Sequence, residues 1–241
     1  MKLIVCDIDG TLLKSNEKIP DKSVVKMIND ISDNNCLFGF ATGRSYVEVK
    51  KLFEKCTDCL CICCDGALTV YNEQTLTEKY FNKEEIKCFD AYDSVVLYGK
   101  YMIYAKGNTG FLRKIKKQFS SHVIAFESVS EIDTPIYKAV VYGNDLRTIN
   151  IEGFNKIYSS YNIAEFIPED VDKYSSLAEI IEKNDISPDE CAVFGDGDND
   201  VTMLSGFKNS YAAVWSKPSV KACASNIFDN IVNKIYEIQN R

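Results

Sequence analysis

The chain has 241 residues, a length that fits one large domain or a core with one insertion and that can bury a real hydrophobic core. Apolar residues make up 46% and charged residues 26%, and 35 acidic against 28 basic residues leave a net charge of −7. That balance argues against a nucleic-acid-binding face. No apolar run reaches membrane-spanning length. A single lysine ahead of the first strand does not make a signal peptide, so the expectation is a soluble, cytoplasmic protein that does not engage a membrane.

Leu3-Ile4-Val5-Cys6 reads as a fully buried strand, and it runs directly into Asp7-Ile8-Asp9-Gly10-Thr11-Leu12-Leu13. Pro20-Asp21 marks a helix start, with Val24, Met27, Ile28 and Ile31 at helical spacing through about Asn34. Cys36 to Ala41 is a second apolar strand ending in Thr42-Gly43-Arg44-Ser45; Ser45 can cap a helix carrying Val49, Leu52 and Phe53 on one face. Cys59 to Cys64 is a third strand, ending at Asp65-Gly66. Strand, helix, strand, helix, strand in this order predicts a parallel sheet with right-handed crossovers.

The pattern then changes. Ala67–Val70 and Thr75–Tyr80 suggest a hairpin, and residues 82–168 mix short helices and strands. Helices are predicted over 83–93, 109–120 and 145–161, and strands over 95–98, 101–105, 123–127, 136–142 and 163–167. Grouped strands of this kind point to an inserted α+β domain with its own antiparallel sheet. From Lys173 the α/β pattern resumes. A helix carries Leu177, Ile180 and Ile181, and a strand over 190–194 ends in Gly195-Asp196-Gly197-Asp198-Asn199-Asp200. A helix with Val201, Met203 and Leu204 follows, then a strand over 210–215, a short helix at Pro218 and a last one over 230–239. The fold class is therefore α/β, a Rossmann-like parallel-sheet core formed by 1–81 and 169–241 and interrupted by an α+β cap over 82–168.

In such a sheet ligands bind outside the carboxyl ends of the strands. Asp7 and Asp9, Thr42, and Asp196 with Asn199 and Asp200 all stand at such ends, and Lys173 precedes a helix of the same core. Several carboxylates converging in one crevice cannot all stay ionised and unpaired. A hard divalent cation with oxygen ligands, Mg2+, answers that, and with one lysine it would overcome the negative protein field for an anionic ligand. Rival readings fail on particular residues. A calcium loop beginning at Asp196 would need glycine where Val201 stands and glutamate where Phe207 stands. No Gly-rich phosphate loop is present, and the lone histidine, His122, has no partner motif for a triad. The basic run Arg113–Lys117 reads as a solvated helix face. Of the ten cysteines, only Cys56 and Cys59 have zinc-knuckle spacing; Cys59, Cys61 and Cys63 alternate as buried small hydrophobes.

Asp7-Ile8-Asp9-Gly10-Thr11-Leu12-Leu13, Ala41-Thr42-Gly43-Arg44, Lys173 and Gly195–Asp200 resemble, in order, the four motifs of the haloacid-dehalogenase-like hydrolases. The cap between the second and third motifs resembles the Cof-type subfamily, mostly phosphatases of sugar phosphates and related small molecules. The resemblance implies that Asp7 is a nucleophile forming an aspartyl-phosphate and that Asp9 is the general acid and base. It implies Mg2+ held by Asp7, the Asp9 carbonyl and Asp196, with Asp200 in support. Thr42, Gly43, Arg44, Lys173 and Asn199 would hold the phosphoryl group or substrate. The chain departs from the family at Asp65-Gly66, where relatives usually have Asn-Gly, at the residues after Lys173, and at Trp215-Ser216-Lys217. A phosphatase of a small phosphate ester is expected; a phosphomutase using the same aspartyl-phosphate and a non-catalytic sugar-phosphate sensor are the alternatives.

Overall fold

The computed structural model describes residues 1–14, 17–33, 35–107 and 110–239. It divides into two compact units, Met1–Arg44 with Glu48–Thr77 and Asp172–Arg241, and Ser45–Val47 with Glu78–Val171. The predicted helix limits at 34 and 109 lie outside the described residues.

The first unit begins with β1 (Leu3–Cys6), α1 (Lys22–Asp33), β2 (Leu37–Ala41), α2 (Tyr46–Leu52, whose first two residues fall in the second unit), β3 (Cys59–Cys63), β4 (Leu68–Tyr71) and β5 (Gln74–Glu78). The β4–β5 turn is Asn72-Glu73, both at positive φ (47° and 65°), the backbone of a tight two-residue hairpin whose twist matches its strands. The second unit contains α3 (Lys83–Ile86), β6 (Val95–Tyr98), β7 (Ile103–Lys106), α4 (Gly110–Gln118), β8 (Val123–Ala125), β9 (Lys138–Tyr142), β10 (Phe154–Ser159) and β11 (Ile163–Pro168). The chain then returns to the first unit with α5 (Lys173–Lys183), β12 (Cys191–Gly195), α6 (Val201–Gly206), β13 (Ser210–Ala213), α7 (Pro218–Lys221), β14 (Asn226–Phe228) and α8 (Ile231–Gln239).

Among the described residues the first unit's sheet has the order β14-β13-β12-β1-β2-β3-β4-β5. Strands β14 through β3 run parallel, and only β4 turns back against β3. On one face Leu3, Val5, Leu60, Ile62, Cys191, Val193 and Ala212 form a core with Leu177, Ile180 and Ile181 of α5 and Met203 and Leu204 of α6. The alternating residues Ile4, Cys6, Phe38 and Phe40 are buried too, and α1 lies against β2 and α8, so helices cover both faces. The central strand β1 is flanked by β12 and β2, which brings the loops after β1, β2 and β12 together at one edge of the sheet. The cysteines of β3 belong to this packing, and burial pushes the Cys61 thiol up to about 12.

The second unit's sheet has the order β10-β11-β9-β6-β7-β8, antiparallel except for the β7–β8 pair. Every second residue of its central strands, Val95, Leu97, Ala139, Val141, Ala164 and Phe166, enters a core with Phe81, Phe89 and Phe154. The helix predicted over 145–161 is a correction: that stretch holds β10. Phe154, Ile157, Tyr158 and Tyr161 imitate helical spacing because a bulge between Lys156 and Tyr158 breaks the period-two alternation. The edge strand β14, only three residues long, carries too little pattern to be predicted.

Candidate active site

The loop after β1 is a compact turn. Gly10 N–H donates to the Leu13 carbonyl at 2.7 Å, and Leu13 N–H to that of Ile8 at 2.8 Å. Gly10 has φ +94°, and a Cβ there would stand 2.1 Å from Asp196 Oδ2, so both conformation and space require glycine. Asp7 N–H donates to the Phe194 carbonyl at 2.9 Å, which locks the acid to the end of β12. Thr11 Oγ1 donates to Asp196 Oδ1 at 2.9 Å, tying the two acidic loops together.

Lys173 is the first residue of α5, whose start is capped by the Asp172 carboxylate accepting from Ser175 N–H. Its side chain has no exposed surface, and Nζ donates to Asp7 Oδ1 and Asp200 Oδ1, each at 2.7 Å. Asp200 Oδ2 accepts from the amides of Asp196 and Gly197, both at 2.9 Å, so this side chain folds its own loop as well as holding the lysine. Burial pulls the ammonium of Lys173 down, but Asp200, Asp7 and Asp65 outweigh it and leave the lysine raised and charged. Burial pushes the Asp7 carboxyl well up; Lys173 opposes that, while Asp200 and Asp196 add to it. Burial also raises Asp196, to about 6, against the Thr11 hydrogen bond.

Ligand oxygens of Asp7, Asp196 and Asp200 lie within 4.8 Å of one another. An all-carboxylate set in which two members are pushed toward protonation fits a hard divalent cation, whose charge would relieve that cost.

The other predicted residues are placed differently from one another. Thr42 is buried, and its Oγ1 accepts from Arg44 N–H at 3.2 Å. Gly43 lies beside the Asp65 carboxylate. Arg44 turns to the general-acid candidate, with Nε donating to Asp9 Oδ2 at 2.6 Å and Nη2 to Asp9 Oδ1 at 2.5 Å. Asn199 Nδ2 donates to Asp65 Oδ1 at 2.8 Å. Three residues given no role in the motif reading also enter the site: Thr11, Asp65, and Trp215, whose Nε1 donates to the Gly10 carbonyl at 2.9 Å. Asp65 and Trp215 left a signal as departures from the family pattern. Thr11 left none beyond its place in the first motif.

Carboxylates from two parallel strand ends thus converge on one buried lysine of an α/β core. The family model for haloacid dehalogenase-like hydrolases matches residues 4–234. The chain belongs to that family and is an enzyme of its phosphatase branch. A relative from Mycoplasma genitalium, carried under a provisional phosphatase name, is 23% identical over 98% of this chain and 96% of its own length. A similarly named protein of Buchnera aphidicola from Schizaphis graminum is 27% identical over 85% of this chain and 81% of its own. Among solved structures, a haloacid dehalogenase-like hydrolase from Bacteroides thetaiotaomicron shares the fold at TM-score 0.83 and 20% identity, covering 98% of this chain and 99% of that one. A protein described as a HAD subclass IIB sugar phosphatase does so at TM-score 0.77 and 20% identity, with 99% of each chain covered. Among the described residues no helix is long and apolar enough to cross a membrane.

Proposed function

We propose that the protein is a Mg2+-dependent phosphatase that hydrolyses a small phosphorylated metabolite, a sugar phosphate foremost, through an aspartyl-phosphate on Asp7. The observation that carries this reading is the buried Lys173 bridging Asp7 and Asp200, with Asp196 beside them. A lysine so placed opposes the burial that would protonate a nucleophilic carboxylate and holds it oriented in a desolvated site. The sugar-phosphate preference is supported by the description of one structural neighbour.

In the first step an Asp7 carboxylate oxygen attacks phosphorus, the bond from phosphorus to the leaving oxygen breaks, and Asp9 gives that oxygen a proton. In the second, water attacks the phosphoryl group, its proton passes to Asp9, and the Asp7–phosphorus bond breaks. Asp9 has both oxygens on Arg44, so proton transfer requires one of those bonds to open. Arg44 thus acts as the orienter of Asp9 rather than as a phosphate ligand. Thr42, the Gly43 amide and Lys173 hold the phosphoryl oxygens, and Asn199 lines the same cradle. Asp7, Asp196, the Asp9 carbonyl and, in support, Asp200 would hold Mg2+, which neutralises phosphoryl charge and orients the group for in-line attack. The inserted unit, drawn in the sequence over 82–168, is assigned the selection of the leaving group.

The test is turnover of p-nitrophenyl phosphate and a sugar-phosphate panel with and without EDTA, scoring released phosphate against isomerised product. Metal-dependent phosphate release that disappears in Asp7→Asn is expected. Metal-independent turnover, or full activity in Asp7→Asn, overturns the reading; isomerised product without phosphate marks a mutase.

A further inference from the structure

Lys173, Ser176, Leu177 and Ile180 form one stripe of α5, and all four are buried. Leu177 and Ile180 pack by apolar contact, which has no direction and does not fix the helix along or about its axis. The Asp172–Ser175 capping box closes within the helix itself. Ser176 differs from these. Its Oγ donates to the Gly66 carbonyl at 2.7 Å, a buried bond between residues 110 apart in the chain. The approach depends on Gly66, at φ +111°, where a Cβ would stand 2.3 Å from the Asp172 carbonyl oxygen and 2.7 Å from Ser176 Oγ. The turn that carries Gly66 is itself held by the loop after β2. Cys64 N–H donates to the Arg44 carbonyl and Asp65 N–H to that of Thr42, each at 2.9 Å. The Ser176 hydroxyl thus ties the first turn of α5 to the loop that carries Thr42 and Gly43.

The tie matters because Lys173 is held at its far end by other parts of the core, with Nζ on Asp7 and Asp200. A lysine stem is long and flexible, so those two bonds do not by themselves set where the ammonium stands relative to Thr42 and Gly43. That spacing follows from where α5 begins, and Ser176 fixes the beginning of α5 against the turn after β3. Attack on phosphorus is sensitive to such placement, since a displacement of about 1 Å can cost about a hundredfold in rate. We propose that Ser176 is a positioning residue of the reaction: through Gly66 its hydroxyl sets Lys173 against the Thr42–Gly43 loop, so that lysine and loop grip one phosphoryl group while Asp7 is aimed at it. Ser176 lies in the stretch after Lys173 where the chain departs from the family pattern.

This inference rests on the phosphatase reading, and its test separates the two. Steady-state kinetics with p-nitrophenyl phosphate and Mg2+ give kcat and KM for the wild type, Ser176→Ala and Ser176→Thr, each shown to be folded by urea titration. Ser176→Ala removes the donor and should lower kcat about tenfold while KM changes by less than about twofold, because misplacement is felt in the attack more than in binding. Ser176→Thr keeps a hydroxyl and should recover most of the lost kcat. A hydrogen bond of merely structural value would lower stability and leave the kcat of the folded variant as it was. Should Ser176→Ala fail to fold, Ser176→Cys, a weaker donor, takes its place with a smaller fall in kcat. Wild-type turnover with kcat unchanged in the folded variant, a change confined to KM, or a threonine variant no better than alanine overturns the role of Ser176 alone. A wild type that releases no phosphate from the ester overturns the phosphatase reading, and the role of Ser176 falls with it.

Discussion

Replacing Lys173 by methionine should cost the fold as well as the activity. The side chain of Lys173 is wholly buried, and its two carboxylate partners expose 8% and 1% of theirs. Methionine approximates the volume of the stem and removes the ammonium bonded to both acids. Stranding one partner of a buried pair costs about 3–5 kcal/mol, and this lysine serves two partners, so the upper end of that range applies. Against a domain stability of about 5–15 kcal/mol the loss is large. The pH dependence identifies the cause. Lys173 is raised from its ordinary 10.5, so its own stabilising contribution is complete below that value and constant across the acid range. Any recovery of Lys173→Met on acidification must then come from protonation of the stranded carboxylates, chiefly Asp7, which burial already pushes up. Urea titration of the metal-free protein at pH 7.5 and pH 5 measures both effects. A loss under 1 kcal/mol at pH 7.5, or a deficit that does not shrink at pH 5, refutes the argument. Lys173→Met with Asp200→Asn should recover part of the loss, because one of the stranded charges is removed.

Asp196 is raised from 3.8 to about 6, so the metal-free fold loses stability from this group as pH rises through that window. Mg2+ should restore it, giving a larger thermal shift at pH 7.5 than at pH 5; equal shifts would refute the coupling. Gly10→Ala places a Cβ 2.1 Å from Asp196 Oδ2 at a φ of +94°, and kcat/KM should fall by about a hundredfold or more, roughly 2.7 kcal/mol, read by steady-state kinetics. Trp215→Phe keeps an aromatic ring and loses the donor to the Gly10 carbonyl, so chemical denaturation should register a loss of about 1 kcal/mol. Its kcat should fall more than its KM rises, since the turn it holds carries Asp9; a change confined to KM would place the ring on the substrate instead.

What the sequence discloses about this site divides by the range of the interaction. Asp7 and Asp196 are legible because each ends a strand, and β1 and β12 pair in register, Cys6 opposite Phe194, as parallel neighbours do. Lys173 is legible only through the family pattern, since nothing local separates a buried first-turn lysine from a surface one. The bonds that decide the roles of Arg44 and Asn199 join loops 35 and 134 residues apart. Neither periodicity nor capping records where such side chains turn. The predicted helix over 145–161 fails for a related reason, because a single bulged residue converts the strand alternation of Phe154–Ser159 into a false helical spacing. Motif reading therefore finds residues whose position follows from backbone topology, and it does not disclose the partners of residues whose side chains are turned by a loop. Arg44, expected at the phosphate from its motif, thus donates to Asp9 across 35 residues. Asp65, a departure in the pattern, likewise accepts from Asn199 and lies beside Gly43, contacts that no local pattern records. A substitution at either residue tests loop geometry more sharply than one at Asp7, where any reading of the family would predict the same inactive enzyme.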